Sequence, residues 1–374
     1  VKERLSHDTP PQRNFMAFGP EALPLSTKVF TMASNTYTPG WLKDVYPGPY
    51  TMSQECVRMI GSLLHAPDSQ AGFLTPGGTE SNLYAVRLAR NMAKKARPEL
   101  VMPETAHYSF NLGAELFGLK VRAAKVDQNN VVDIAQVEKL ISKNTAMLVC
   151  SAPEPAMGNI DRVEEFAELA SKHELYLHVD SCVGGFMLPF LKELGYKIPK
   201  FDFSVPEVRS MSADPHKLGM QQKPTSSFII RDRAYLDAIP VESTFVPYLS
   251  GTSRVGASAV SLWALLNHLG RDGYKKHMKH AMDMTKLVTS EVPKIDGLEM
   301  RAEPIVPIMG IVSKKHDVRK IVERMVKKGW ATTTGVTPVT GVPYIWLYIH
   351  PLKTRATMVA YLEDLKKSTR EVGS

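Results

Sequence analysis

The sequence predicts an α/β protein in which a mainly parallel sheet is covered by helices on both faces, with a small C-terminal α+β unit appended. Three observations carry this prediction. Short apolar runs at 100–102, 121–126, 146–150, 175–179, 208–212 and 227–230 have the length of strands. Most of them are separated by stretches with helical apolar spacing, which implies parallel strands joined by right-handed crossovers. Finally, 374 residues that are 44% hydrophobic suffice for one large core and a smaller one.

Taken in order, residues 1–50 read as an arm, because Pro10, Pro11, Pro20, Pro24, Pro39, Pro47 and Pro49 interrupt any long element. A helix is expected over 52–65, a turn at Thr75-Pro-Gly-Gly78 and a second helix over 80–96. The strand and helix alternation then fills a large domain over 51–272. A helix over 257–269 and a long basic helix over 272–292 bridge to the last unit, which reads β-α-β-α at 306–312, 318–328, 344–349 and 356–370. Residues 273–374 thus form the linking helix and small domain. No internal repeat or low-complexity segment is visible.

Composition narrows the function classes. A formal charge of +8 invites a nucleic-acid reading, but Lys and Arg are spread along the chain and mixed with acids, as in Asp317-Val-Arg-Lys-Ile-Val-Glu-Arg. Anionic small molecules suit that surface better than nucleic acid. Cys56, Cys150 and Cys182 lack metal-ligand spacing and fit reduced, buried thiols of a cytoplasmic protein. No apolar run reaches the roughly 18 to 20 residues that span a bilayer. The chain begins without Met, so a missing upstream segment, including one that docks to a membrane, remains an open expectation.

The chemistry is concentrated in Ser212-Ala-Asp-Pro-His-Lys217 and His178-Val-Asp180. A lysine that forms an imine, paired with an acid that keeps a pyridine nitrogen protonated, is what pyridoxal 5'-phosphate requires. Both strings end predicted strands, and strand carboxyl ends are where an α/β sheet gathers functional groups. Alone, a strand-ending Asp is commonly a cap and a Lys after a turn a solvated charge, so the rest of the set decides. Thr75-Pro-Gly-Gly-Thr-Glu-Ser81 opens a helix, where Gly77 and Gly78 permit close approach of a phosphate to free N–H groups and Thr79 adds a hydroxyl. That string lacks the Lys of a P-loop and the spacing of a dinucleotide fingerprint. His107, in Thr105-Ala-His-Tyr-Ser109, is placed to lie flat on a pyridine ring. Gly251-Thr-Ser-Arg254 offers two hydroxyls and a guanidinium at a helix start.

Together these strings resemble the group II pyridoxal-phosphate decarboxylase family, of the fold type I, aminotransferase-like class. The resemblance runs from about Lys28 to the C-terminus and implies a seven-stranded, mainly parallel sheet. It further implies that Lys217 carries the cofactor as a Schiff base, Asp180 pairs with the ring nitrogen and His107 stacks on the ring. Gly77, Gly78, Thr79, Ser212 and His216 would surround the phosphate. Thr252 and Ser253 would come from the neighbouring subunit of a homodimer.

Two branches of the family compete. Decarboxylases resemble one another in an Arg on a C-terminal-domain strand, and here Pro343-Tyr-Ile-Trp-Leu-Tyr-Ile-His350 has none. Ser151-Ala-Pro153, Asp180-Ser-Cys-Val-Gly-Gly-Phe186, Phe201-Asp-Phe-Ser-Val-Pro206 and Lys223 look like the sphingosine-1-phosphate lyase branch. The expectation is therefore a carbon-carbon lyase that cleaves a phosphorylated amino alcohol by retro-aldol chemistry, with Lys223, Tyr248 and Arg254 toward the substrate. The alternative is a carboxy-lyase acting on tyrosine, aspartate or glutamate, since Pro103-Glu-Thr-Ala-His-Tyr-Ser-Phe110 and Glu303-Pro-Ile-Val-Pro-Ile-Met309 are similar to archaeal tyrosine and aspartate decarboxylases. A desulfurase would need a mobile cysteine, and Cys182 sits immediately beyond the sheet acid. An aminotransferase or a silent scaffold homologue on the same fold completes the set of rivals.

Overall fold

The computed structural model describes residues 8–16, 21–36, 44–45, 47–239, 255–336, 339 and 341–373. Two helices precede the sheet, α1 (Pro24–Met32) and α2 (Pro47–Leu63). Then follow β1 (Ala71–Thr75), α3 (Gly78–Ala93), β2 (Glu99–Pro103), α4 (Ser109–Phe117), β3 (Lys120–Ala124), α5 (Ile134–Leu140) and β4 (Thr145–Ser151). The sheet is completed by α6 (Val163–Lys172), β5 (Tyr176–Asp180), α7 (Leu188–Glu193), β6 (Val208–Ala213) and β7 (Ser226–Ile230).

These strands form one seven-stranded sheet in the order β1-β7-β6-β5-β4-β2-β3. Only β7 runs against its neighbours, β1 and β6; the other pairs are parallel. The central strands are apolar on both faces because helices cover both. In β4, Leu148 and Cys150 enter one core cluster with Phe166 and Leu177, while Met147 and Val149 enter another with Tyr84 and Phe110. Each fully buried side chain of this kind is worth about 1.5–3 kcal/mol relative to exposure.

A 35-residue helix, α8 (Ala257–Glu291), leads away from the sheet and breaks its helical geometry at Gly270, where φ is 55°. The last unit holds β8 (Leu298–Met300), β9 (Ile308–Ser313), α9 (Val318–Lys327), β10 (Thr333–Val336), β11 (Pro343–Tyr348) and α10 (Arg355–Gly373). Its four strands form an antiparallel sheet in the order β10-β11-β9-β8. The β-α-β-α reading of this unit is thus incomplete: β8 and β10 are short strands with weak apolar patterning. The helix expected from 80 begins at Gly78, and β1, which the sequence reading passed over, lies just before it.

The N-terminal arm is tied to both units. Lys353, fully buried, pairs with Glu21 at 2.5 Å and donates to the carbonyls of Pro11 and Gln12. Ahead of α1, the Leu23 N–H donates to Met220, and within it the Ser26 hydroxyl donates to Gln221, both close after Lys217 in sequence. Among the described residues no helix is long and apolar enough to cross a membrane.

Candidate active site

The carboxyl ends of β1, β2, β5 and β6 converge with the amino end of the reversed strand β7, and seven of the predicted residues meet there. The resulting cleft has a volume of about 200 Å³ and is lined by Gly77, Gly78, Thr79, His107, Asp180, His216 and Lys217 among others.

Lys217 follows β6 and places Nζ 2.9 Å from Oδ2 of Asp214. Oδ1 of Asp214 accepts from the Ser226 hydroxyl at 2.5 Å. Burial opposes charge on Lys217, but Asp214, Cys182 and Asp180 outweigh it and hold the amine well above its ordinary pKa. The lysine therefore rests as an ammonium, and it must lose a proton before it can act as a nucleophile.

Asp180 ends β5 and is 7% exposed. Its Oδ2 accepts from the Asn82 amide at 2.9 Å, and its Oδ1 accepts from the Cys182 N–H at 3.0 Å and the Ser212 hydroxyl at 3.2 Å. Burial alone would raise its pKa. His107, Lys217 and the Cys182 N–H prevail and hold it below the ordinary aspartate value, so the group stays ionised.

His107 is fixed by a 2.8 Å contact between Nδ1 and the Ser109 hydroxyl, and Ser109 in turn accepts from the second amide hydrogen of Asn82 at 3.0 Å. Burial, with Lys217 nearby, lowers the pKa of His107 and keeps the ring neutral. Asn82 Oδ1 lies 3.3 Å from His178 Nε2, and His178 Nδ1 lies 2.8 Å from the Ser210 hydroxyl. Burial pushes His178 down to about 4, so it serves as a neutral bridge. The sequence reading missed Asn82 and the roles of Asp214 and Ser226. An Asn on an amphipathic helix carries no signal until the fold places it against Asp180.

The glycines of the cradle differ. A Cβ at Gly78 would stand 2.5 Å from Cys182 Sγ and 2.6 Å from Asp214 Oδ2, whereas one at Gly77 would meet only His216 Cε1 at 3.9 Å. Close approach thus requires glycine at 78. His216 accepts the Thr225 N–H on Nδ1 at 3.0 Å, which leaves Nε2 as the protonated nitrogen; burial lowers its pKa. The hydroxyl of Ser212, one of the residues expected around the phosphate, donates to Asp180 Oδ1 at 3.2 Å. Lys223 is half-buried within the field of Lys217 and His216, and burial followed by Lys217 lowers its pKa. Tyr248, Thr252, Ser253 and Arg254 lie outside the described residues.

The residues present fit pyridoxal phosphate: an amine, an ionised acid, a neutral imidazole, and a glycine position with room for no side chain at a helix start that has no side-chain cap. β11 contains no Arg, as its sequence requires, and places Tyr344, Trp346 and Tyr348 on alternate positions.

The comparisons agree with this chemistry. Residues 2–313 match the model described as "Pyridoxal-dependent decarboxylase conserved domain". A probable L-tyrosine/L-aspartate decarboxylase of Methanothermobacter thermautotrophicus is 37% identical over 353 residues, covering 92% of this chain and 93% of the relative. The L-aspartate/L-glutamate decarboxylase of Pyrococcus horikoshii is 35% identical over 332 residues, covering 86% and 84%. Among solved structures, the sphingosine-1-phosphate lyase of Burkholderia pseudomallei is similar with a TM-score of 0.88 at 28% identity, covering all of this chain and 88% of that one. The glutamate decarboxylase of Lactobacillus brevis shares the fold with a TM-score of 0.91 at 17% identity over all of this chain and 91% of its own.

Proposed function

The chain belongs to the pyridoxal-dependent decarboxylase family, and we propose from that premise that it is an amino-acid carboxy-lyase acting on L-tyrosine, L-aspartate or L-glutamate. This reverses the order expected from the sequence, where retro-aldol cleavage of a phosphorylated amino alcohol led. The observation that carries the reversal is that relatives matching most of the chain at 35–37% identity are named decarboxylases, while the lyase likeness stands at 28%.

Pyridoxal phosphate, when bound, supplies an electron sink conjugated to the substrate Cα, which lowers the barrier to losing a group from that carbon. The chain's residues do the rest in our reading. Lys217 is the attachment point, and Asp214 holds its amine in place until the proton leaves. Asp180, kept ionised by Asn82, Ser212 and the Cys182 N–H, holds the proton on the ring nitrogen. His107 offers a neutral face, and the Gly77, Gly78 and Thr79 turn with His216 receives the phosphate. Lys223 is the cation we assign to an anionic group of the substrate, because it is half-buried in the field of Lys217. We assign 1–50 to an arm, 51–272 to the cofactor domain and 273–374 to the linking helix and small domain. The same reading makes the chain a homodimer with Thr252 and Ser253 crossing to the partner's site.

The test is direct. Purified holoenzyme is incubated separately with tyrosine, aspartate, glutamate and a phosphorylated amino alcohol, and carbon dioxide and aldehyde are both followed. Carbon dioxide from an amino acid supports the proposal. Aldehyde from the phosphorylated substrate with no carbon dioxide from the others restores the retro-aldol reading.

A further inference from the structure

Tyr348 is buried at 2% exposure, and among the described residues its hydroxyl has no hydrogen-bond partner. Burying a phenol without a partner forfeits its hydrogen bonds to water, so each such group calls for an explanation. The surroundings of Tyr348 supply one. On β11, Ile345 and Leu347, with Ile349 just beyond, pack into the core of the four-stranded unit, whereas Tyr348 packs into the core of the large sheet, with Trp346 against it. Two residues on, the His350 imidazole donates from Nε2 to the Lys217 carbonyl at 3.1 Å, which pins this end of β11 to the lysine. His350 stays neutral, since burial pushes it down to about 3. Burial likewise keeps the Tyr348 phenol protonated, and the charges in its field are Lys217, Asp214 and Glu21.

We propose that the Tyr348 hydroxyl is the hydrogen-bond partner of the Lys217 amine once that amine leaves Asp214, so that Tyr348 is a positioning residue for cofactor loading. This rests on the reading of Lys217 as the attachment point. Asp214 stabilises only the protonated lysine. A neutral hydroxyl donates to the lone pair of the free amine, which is the form that reacts. The residue thus lowers the cost of the proton loss that Asp214 opposes, and it does so from the unit that does not hold the cleft.

Tyr348→Phe keeps the ring and removes the hydroxyl. Apoenzyme is labelled at a fixed pH near 8 with a trace amine-acylating reagent, the rate of labelling of the peptide carrying Lys217 is quantified, and the rate of pyridoxal phosphate uptake is followed by absorbance. The expected result is Lys217 labelling and cofactor uptake each slower by about tenfold. Either rate at the wild-type value overturns the proposal. Tyr361→Phe is the control, because it deletes a buried hydroxyl that has a partner, Thr332 at 3.3 Å, in the other core. That variant should lose thermal stability with Lys217 labelling unmoved; a slowing equal to that of Tyr348→Phe shows a general packing effect and overturns the assignment. Borohydride reduction of wild-type holoenzyme separates the premise from the inference. Failure to find the cofactor on the Lys217 peptide removes the premise, whereas retention there with wild-type rates in Tyr348→Phe removes only the role of Tyr348.

Discussion

Asn82 donates to Asp180 at 2.9 Å from a position 98 residues earlier in the chain, and its second amide hydrogen goes to Ser109, which holds His107. One side chain on α3 therefore orients both the Asp180 carboxylate and, through Ser109, the His107 imidazole. Its carbonyl oxygen faces His178, so all its polar atoms are engaged inside the sheet.

Asn82→Asp tests this coupling. It places a second carboxylate against Asp180, and like charges at hydrogen-bond distance drive one of the two to hold a proton. The acid that should pair with the ring nitrogen is then weakened, and affinity for pyridoxal phosphate should fall by about 10- to 100-fold, the loss of a charge-assisted hydrogen bond. Absorbance titration of the apoenzyme measures it. Asn82→Asp that binds as wild type would show that Asp180 needs no support from α3.

Lys217→Ala should abolish retention of the cofactor after borohydride reduction, with no labelled peptide remaining. It should also destabilise the apoenzyme by about 3 kcal/mol, because Asp214 stays buried without its cation. The double variant Lys217→Ala, Asp214→Asn removes that uncompensated charge and should recover most of the loss. Denaturant unfolding of the two variants decides; equal stability would mean that the ion pair holds nothing in place.

The two glycines of the cradle should behave differently. Gly78→Ala forces a methyl to within 2.5 Å of Cys182 Sγ and 2.6 Å of Asp214 Oδ2, an overpacking that costs about 1–3 kcal/mol and displaces the acid that holds Lys217. Gly77 has extended backbone, with φ 179°, and open space beyond, so Gly77→Ala should leave the melting temperature of the apoenzyme within a degree or so of wild type. Calorimetry of both variants checks the contrast, and a similar loss in each would contradict it.

The sequence made the strand-ending groups legible, because Lys217, Asp180, His107 and Gly77-Gly78 lie in short strings whose spacing has chemical meaning. It concealed residues whose meaning arises only on folding. Ser226 reaches Asp214 because β7 runs antiparallel beside β6, and Tyr348 faces the large sheet through the alternation of β11. Strand β1 is five residues with a glycine inside it, β8 has only three residues, and β10 is the polar string Thr-Thr-Gly-Val, so pattern reading had little to hold. The order of the two branches is reversed for a different reason. A missing arginine on β11 argued against a carboxylate substrate, yet the decarboxylase relatives match nearly the whole chain.

The loop after β4 should give the protein a pH-dependent stability. Glu154 is fully buried and accepts the N–H groups of Ala156 at 2.7 Å, Met157 at 2.6 Å and Asn159 at 3.4 Å, while Asp161 accepts that of Ser151 at 2.7 Å. Burial outweighs these bonds and pushes both carboxyls up to about 7. A carboxyl whose pKa is higher folded than unfolded binds more protons when folded, so its contribution is fully present below about pH 4 and is lost as pH rises through about 7. Each group contributes at most about 4 kcal/mol over that interval. Asp161→Asn should remove one such contribution and spare its neighbour a like charge. The difference in unfolding free energy between wild type and this variant, followed from pH 5 to pH 8, should therefore move in favour of the variant as pH rises. Pro153 and Pro155 of the same loop line the cleft, so cofactor affinity should weaken over the same interval in wild type and less so in Asp161→Asn. A difference profile flat across pH would show that these carboxyls stay ionised throughout and that the loop is held by their hydrogen bonds alone.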